Sequence, residues 1–330
     1  MLYQPSDDLR LLETSAIDES TVIHGRSIWR IAWRQLKRDR VAMTGGCVLV
    51  LIVLIAAFAS QLNQLYGHAP NTFHSDLTSY DTNLPLGSYG GISAQHWLGV
   101  EPTNGRDILA RLIAGSRTSL VIAGAATLIS LVLGTSTAVL AGYYGRALDA
   151  VMTLFYDMLL SLPGLLLALA LVSLLSQSTH LFGLSGENVS FALVIFLLGL
   201  AGFPYLGRIV RGQVLSLREK EFIEAARSLG AGDLRIITRE LLPNLTGPLL
   251  VWTSITLPAN ILGESALSYL GIGVRPPTAS WGGMLADAQN YSTADPLYLL
   301  WPGLALFVTV LAFNLFGDGL RDALDPKSTR

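Results

Sequence analysis

Charge is what this 330-residue chain has least of. Only 14% of its residues are Asp, Glu, Lys or Arg, against roughly 25% in a soluble domain. That deficit accompanies 51% hydrophobic residues and repeated apolar runs long enough to cross a bilayer, which marks an integral membrane protein. A net charge of −2 argues against a nucleic-acid partner. A single cysteine, Cys47, excludes an intrachain disulfide framework. Histidine is scarce too, with five scattered residues and none inside an expected span. His68 and His74 share a loop, but two histidines without a carboxylate or thiol cluster are a weak metal signal. Both read as surface residues, and no metal site is assigned. No Gly-Lys pair of a phosphate-binding loop exists either, because the three lysines follow Leu36, Glu219 and Pro326. Any ATP chemistry must come from another chain.

What is there is a succession of spans. Residues 1–20 hold Asp7, Asp8, Glu13, Asp18 and Glu19 against one base, Arg10, so residues 1–27 are expected to be a disordered cytoplasmic tail. The first apolar run starts only near Val41, which argues against a cleaved signal peptide. Residues 28–40 place Trp29 and Trp33 beside Ile28, Ala32 and Leu36, with Arg30, Arg34 and Arg38 every fourth residue. That pattern is an interfacial amphipathic helix on the lipid bilayer. Spans are expected at 41–62, between Arg117 and Arg146, at 150–176 with Pro163 inside, at 188–207, within 241–273 broken by Pro248 and Pro258, and between Asp295 and Asp318. Asp157 belongs near the interface or against neighbouring helices. Residues 63–117 form a long loop with a short helix after Asn104, burying Ile108, Leu109, Leu112 and Ile113. Residues 118–325 make a core of five spans with a loop at 208–243, and 326–330 a second cytoplasmic tail. With the N-terminus inside, 18 of the 22 bases fall on inner segments and only Arg106, Arg111, Arg117 and Arg275 outside. The bias places both termini and the 208–243 loop in the cytoplasm. The fold class is therefore all-α and polytopic, with six transmembrane helices.

The charged stretch from Ser216 to Pro243 can be read residue by residue. Ser216 with Glu219 three residues on is a capping box that predicts a helix over Leu217–Leu229. Phe222, Ala225, Ala226 and Leu229 fall at helical spacing and give one small apolar face. Gly230 supplies the left-handed residue that ends a helix. Asp233 is placed to cap a second helix, Leu234–Leu242, with Pro243 marking re-entry into an apolar run. Two short helices around a glycine corner, on a loop between spans, form a docking device.

Glu224-Ala225-Ala226, Gly230 and Leu242-Pro243 resemble the EAA loop of binding-protein-dependent ABC importers, although Glu240 stands where that pattern has Ile. Three further stretches resemble the C-type permease of the oligopeptide, dipeptide and nickel group. They are His96–Ser119, where Val100 and Glu101 replace Thr-Asp, then Ile261–Leu285 and Trp301–Pro326. The resemblance implies a type I ABC importer permease fold in the bacterial cell membrane. It implies ATPase-coupling residues Phe222, Glu224, Ala225, Ala226, Leu229, Gly230, Leu242 and Pro243. It also implies pairing with a homologous second permease, two ATPase subunits that hold ATP and magnesium, and an extracytoplasmic solute-binding protein, with no cofactor in this chain.

Other charged residues keep two readings. Arg106, Asp107 and Arg111 contact a binding protein or fix their own loop through local ion pairs. Glu264 lines the solute path or is hydrogen-bonded to Ser265, Ser268 or a neighbouring helix. Asp318 and Arg321 can pair on one helix face. Two rival functions remain to be tested. An ion-coupled secondary transporter would show internal repeats, and none is convincing. An intramembrane enzyme needs a nucleophile–base pair or a metal cluster within spans, which the histidine placement denies it.

Overall fold

The computed structural model describes residues 28–175, 180–181, 184–185 and 187–324. The expected tails at 1–27 and 326–330, and much of the 177–187 loop, lie outside these residues. Helix α1 (Ile28–Leu36) packs Ala32 and Leu36 against Ala42 and Ala323. Asp39 then caps α2 (Arg40–Ala57) by accepting from Val41 N at 2.9 Å and Ala42 N at 3.1 Å. The first apolar run does not continue as one helix. It breaks at Phe58 into α3 (Ala59–Tyr66), which ends on Gly67 at φ 84°.

Helix α4 (Ile108–Tyr144) runs 37 residues from its cap Asp107, whose carboxylate accepts from Ala110 N at 2.7 Å. The expected short helix and the second span are thus one rod, about 55 Å long at 1.5 Å per residue. It carries the core from one end of the bundle to the other. The third expected span is instead two helices, α5 (Arg146–Ser161) and α6 (Gly164–Leu175). Pro163 has no N–H and holds Leu162 extended, at φ −81° and ψ 131°, so the helix cannot pass through it. A short hairpin follows, with strands β1 (His180–Leu181) and β2 (Leu184–Ser185) paired antiparallel.

Helix α7 (Glu187–Leu217) continues ten residues past the expected end at 207, because Arg208 and Arg211 find carboxylates beside them. Arg208 pairs with Asp157, and Arg211 Nη2 lies 2.6 Å from Asp149 Oδ2. The contact between α4 and α7 is the most extensive in the bundle. Gly199 permits it, since a Cβ there would lie 2.7 Å from Ile129 Cγ2.

Beyond α7 come α8 (Glu221–Ser228), a single turn α9 (Asp233–Arg235), a π-helical segment (Ile236–Leu241) and α10 (Leu242–Tyr269). Pro248 and Pro258 do not break α10, contrary to the sequence expectation; helices buried among neighbours re-satisfy the groups a proline frees. Helices α11 (Trp281–Gln289) and α12 (Pro296–Leu324) close the bundle. Asp318 and Arg321 are exposed and form no ion pair among the described residues, which corrects the pairing expected of them. Five helical runs are long and apolar enough to cross a membrane: α2, α4, α7, the continuous run 233–269 and α12.

Candidate functional site

The charged stretch folds as a short helix held under the spans, with boundaries that differ from the sequence expectation. Ser216 is absorbed into the last turn of α7, so no capping box forms. Helix α8 begins only at Glu221, after Lys220, and has no side-chain cap. Its C-terminus is as expected. Gly230 sits at φ 82°, Ala231 N donates to Ala226 O at 3.0 Å, and Gly230 N donates to Arg227 O at 2.9 Å. These are the two bonds of a Schellman ending.

The apolar face is divided between two surroundings. Ile223 is fully buried, and Ala226 packs beside it against a core of Ala138, Val139, Leu206, Val210, Val214, Leu241 and Leu245. Phe222 is 39% exposed and Leu229 88%. Glu224 and Ala225 face outward with them. Ile223 is therefore the anchor, and Phe222, Ala225 and Leu229 are the apolar residues available to a partner. Sequence reasoning missed Ile223 because it counted the other stripe. The available signal was the spacing of Ile223 and Ala226, which fall three residues apart on one helix face.

Polar contacts brace the same helix. Tyr143 donates to Asp233 Oδ1 at 2.8 Å, and the Arg227 guanidinium lies 5.5 Å from the Tyr143 ring centroid. Arg218 Nη1 donates to Gly142 O at 2.8 Å. Asp233 is thus engaged across 90 residues and does not cap the second helix; Gly232 occupies that position. The second helix does not end at Pro243 either. Pro243 cannot donate, and its ring crowds the preceding turn. The chain answers with the π segment, where Leu242 N reaches back to Ile237 O, and the helix runs on into α10. Leu242 is half-buried against the core around Ile223, and Pro243 is exposed. The eight residues expected to couple to an ATPase thus gather around one short helix and the root of α10.

At the other end of α4, Arg106, Asp107 and Arg111 are buried. Glu101 accepts from Arg106 Nε through Oε2 at 2.6 Å, and its Oε1 lies 2.6 Å from Arg111 Nε. Burial pushes the Glu101 carboxyl above the ordinary glutamate range, against the pull of the Arg111 and Arg106 guanidiniums. Arg111 Nη1 also donates to Asn71 Oδ1 at 3.2 Å. These side chains are committed to local pairs. Glu101 is the centre of the two arginines, although in the sequence it stood out only as a departure from the permease pattern. Glu264 is fully buried as well, accepting from Ser119 at 2.9 Å and from Ser268 at 2.7 Å. It faces a serine-lined contact between α4 and α10.

Five bilayer-length helical runs, with one braced and partly exposed short helix between two of them, define a multi-pass membrane protein. Residues 130–330 match the binding-protein-dependent transport system inner membrane component family, and residues 27–85 match the N-terminal TM domain of oligopeptide transport permease C. The chain belongs to that family of inner membrane components, and it is a multi-pass protein of the bacterial inner membrane. It is 38% identical over 301 residues to the dipeptide transport system permease protein DppC of Alkalihalophilus pseudofirmus, covering 91% of this chain and 90% of that protein. It is 39% identical over 302 residues to the glutathione transport system permease protein GsiD of Escherichia coli O157:H7, covering 92% and 91%. The MetNI methionine ABC transporter, solved in inward-facing conformations, aligns with a TM-score of 0.49 at 19% identity over 66% of this chain and 98% of that chain.

Proposed function

We propose that this chain is one half of the translocation path of an ATP-driven importer of peptides or closely related solutes. The other half is a homologous permease. Two ATPase subunits holding ATP and magnesium dock on the face formed by Phe222, Glu224, Ala225 and Leu229, and a binding protein delivers solute to the far end. The observation that carries this reading is the division of α8: an outward apolar face on a helix whose opposite side is fixed in the core by Ile223. A push on that face moves α4, α7 and α10 together, because one core joins all four elements, and alternating access follows as a rigid-body change. The proposed topology has six crossings, with the α5–α6 pair acting as one and both termini in the cytoplasm. In this topology α1 lies along the cytoplasmic surface and the segment between α3 and α4 faces outward. The peptide class rests on the dipeptide and glutathione permeases that the chain resembles.

In this reading Glu264 joins α4 to α10, and Arg106, Asp107 and Arg111 shape the outer surface met by the binding protein. The test is reconstitution. The chain alone should hydrolyse no ATP and accumulate no dipeptide or glutathione. Vesicles with both permeases, the ATPases and the binding protein should do both. Uptake by the lone chain driven by an ion gradient would replace this proposal with a secondary transporter.

A further inference from the structure

Three of the five histidines, of which the sequence linked only His68 and His74 by a shared loop, converge beside the start of α4. Ring centroids lie 4.7 Å apart for His68 and His96, 5.6 Å for His74 and His96, and 6.4 Å for His68 and His74. Three imidazoles bound to one tetrahedral ion through nitrogens at about 2.0–2.1 Å would have centroids about 5 Å apart. His96 is buried, and its Nδ1 is 2.8 Å from Asp107 Oδ2. Asp107 also accepts from Tyr66 Oη at 3.0 Å and from Ala110 N at 2.7 Å. With both oxygens engaged, this carboxylate orients His96 as an Nδ1–H donor and leaves Nε2 as a free lone pair. A carboxylate behind a histidine is the usual outer support of a metal-binding imidazole.

Ligand atoms of His68, His96 and Asp107 lie within 4.8 Å of one another, and His74 stands just outside this group, so it joins only by a side-chain rotation. The backbone holds His74 alongside: its N–H donates to Asn104 O at 3.2 Å, and its carbonyl passes so near Gly105 that a Cβ there would lie 2.1 Å from it. Gly105 at φ 63° is therefore what lets the 67–74 segment reach the 96–107 segment. His68 and His74 are half-buried, and His68 lines open cavities of about 640 and 540 Å³, so an ion can enter. The adjacent guanidinium, Arg106, is neutralised by Glu101 at 2.6 Å.

We propose that His68, His74 and His96 bind one divalent late first-row transition metal ion, with Asp107 as outer-sphere support, clipping the 67–74 loop to the head of α4. Imidazole nitrogens favour this class of cation over magnesium or calcium, which take oxygen ligands. Coordination draws the rings inward by side-chain rotation. The test uses the full chain in detergent, in a Cys47→Ala background without a histidine tag, stripped with chelator. Zn²⁺ titration by calorimetry should give one ion per chain, and Co²⁺ the visible bands of a four-coordinate site. His68→Gln and His74→Gln, both half-exposed and so expected to fold, should each weaken Zn²⁺ binding at least tenfold. Each should also abolish the rise in thermal midpoint that Zn²⁺ gives the parent. Absence of saturable binding in the parent, or parental affinity in either variant, would leave a ring stack and overturn the proposal.

Discussion

Gly230 and Gly232 form a natural experiment on the docking helix. At either position a Cβ would meet nothing within 4 Å, so a side chain costs no packing. The backbones differ. Gly230 lies at φ 82°, and Gly232 at φ −74° and ψ 161°, which any residue adopts. Gly230→Ala forces an L-residue into the left-handed region at a cost of about 1–2 kcal/mol, whereas Gly232→Ala should be neutral or stabilising by about 0.4–1 kcal/mol. The Gly230 cost falls on the Ala231–Ala226 and Gly230–Arg227 bonds that fix the exit of α8. It reduces the population of the correctly angled helix roughly 5–30-fold. It does not threaten a bundle of spans. Solute transported per ATP hydrolysed should fall steeply for Gly230→Ala, and further for the β-branched Gly230→Val, while Gly232→Ala stays at the parental ratio. Membrane insertion should be near normal for all three. Equal ratios for Gly230→Ala and Gly232→Ala would refute the argument that the left-handed corner sets the coupling angle.

Neighbouring alanines should separate docking from stability. Ala225→Asp puts a charge on the exposed face and should release the ATPase at an unchanged thermal midpoint; Ala226→Asp puts it against the core and should lower the midpoint or the yield. Ile223→Ala removes the fully buried anchor and should cost about 2–5 kcal/mol, read as a lower thermal midpoint and faster proteolysis within Glu221–Ser228. Glu101→Gln strands the Arg106 and Arg111 guanidiniums in a buried site and should destabilise the head of α4 by about 3–5 kcal/mol, whereas Glu101→Asp should recover part of that in a thermal unfolding series.

Apolar run length located long apolar helices at five of the six expected spans, and glycine chemistry located the end of α8, because both are local properties. What escaped the sequence was decided across distance. Ser216 and Glu219 look like a helix start only if the preceding span stops, but ion pairs to Asp149 and Asp157 let α7 run through Ser216. Asp233 looks like a cap until Tyr143, 90 residues away, claims its oxygen. Pro248 and Pro258 would break a helix in water, yet α10 carries both within a packed bundle. Pro163 did break its helix, so proline alone did not decide the outcome. The charged residues near α4 were recognisable as a cluster, but their centre, Glu101, was not. His68, His74 and His96 became neighbours only through the close approach at Gly105.

The central claim, that α8 is where a partner ATPase delivers force to the spans, is tested most directly by a disulfide at Leu229. In a Cys47→Ala background, Leu229→Cys should resist a membrane-impermeant thiol reagent in intact cells, while Asn83→Cys and Asn290→Cys react. With the ATPases co-expressed and carrying single cysteines across their permease-facing surface, oxidation should give a permease–ATPase adduct that stops transport until it is reduced. Labelling of Leu229→Cys from outside, or no adduct at any ATPase position in an actively transporting complex, would contradict the account.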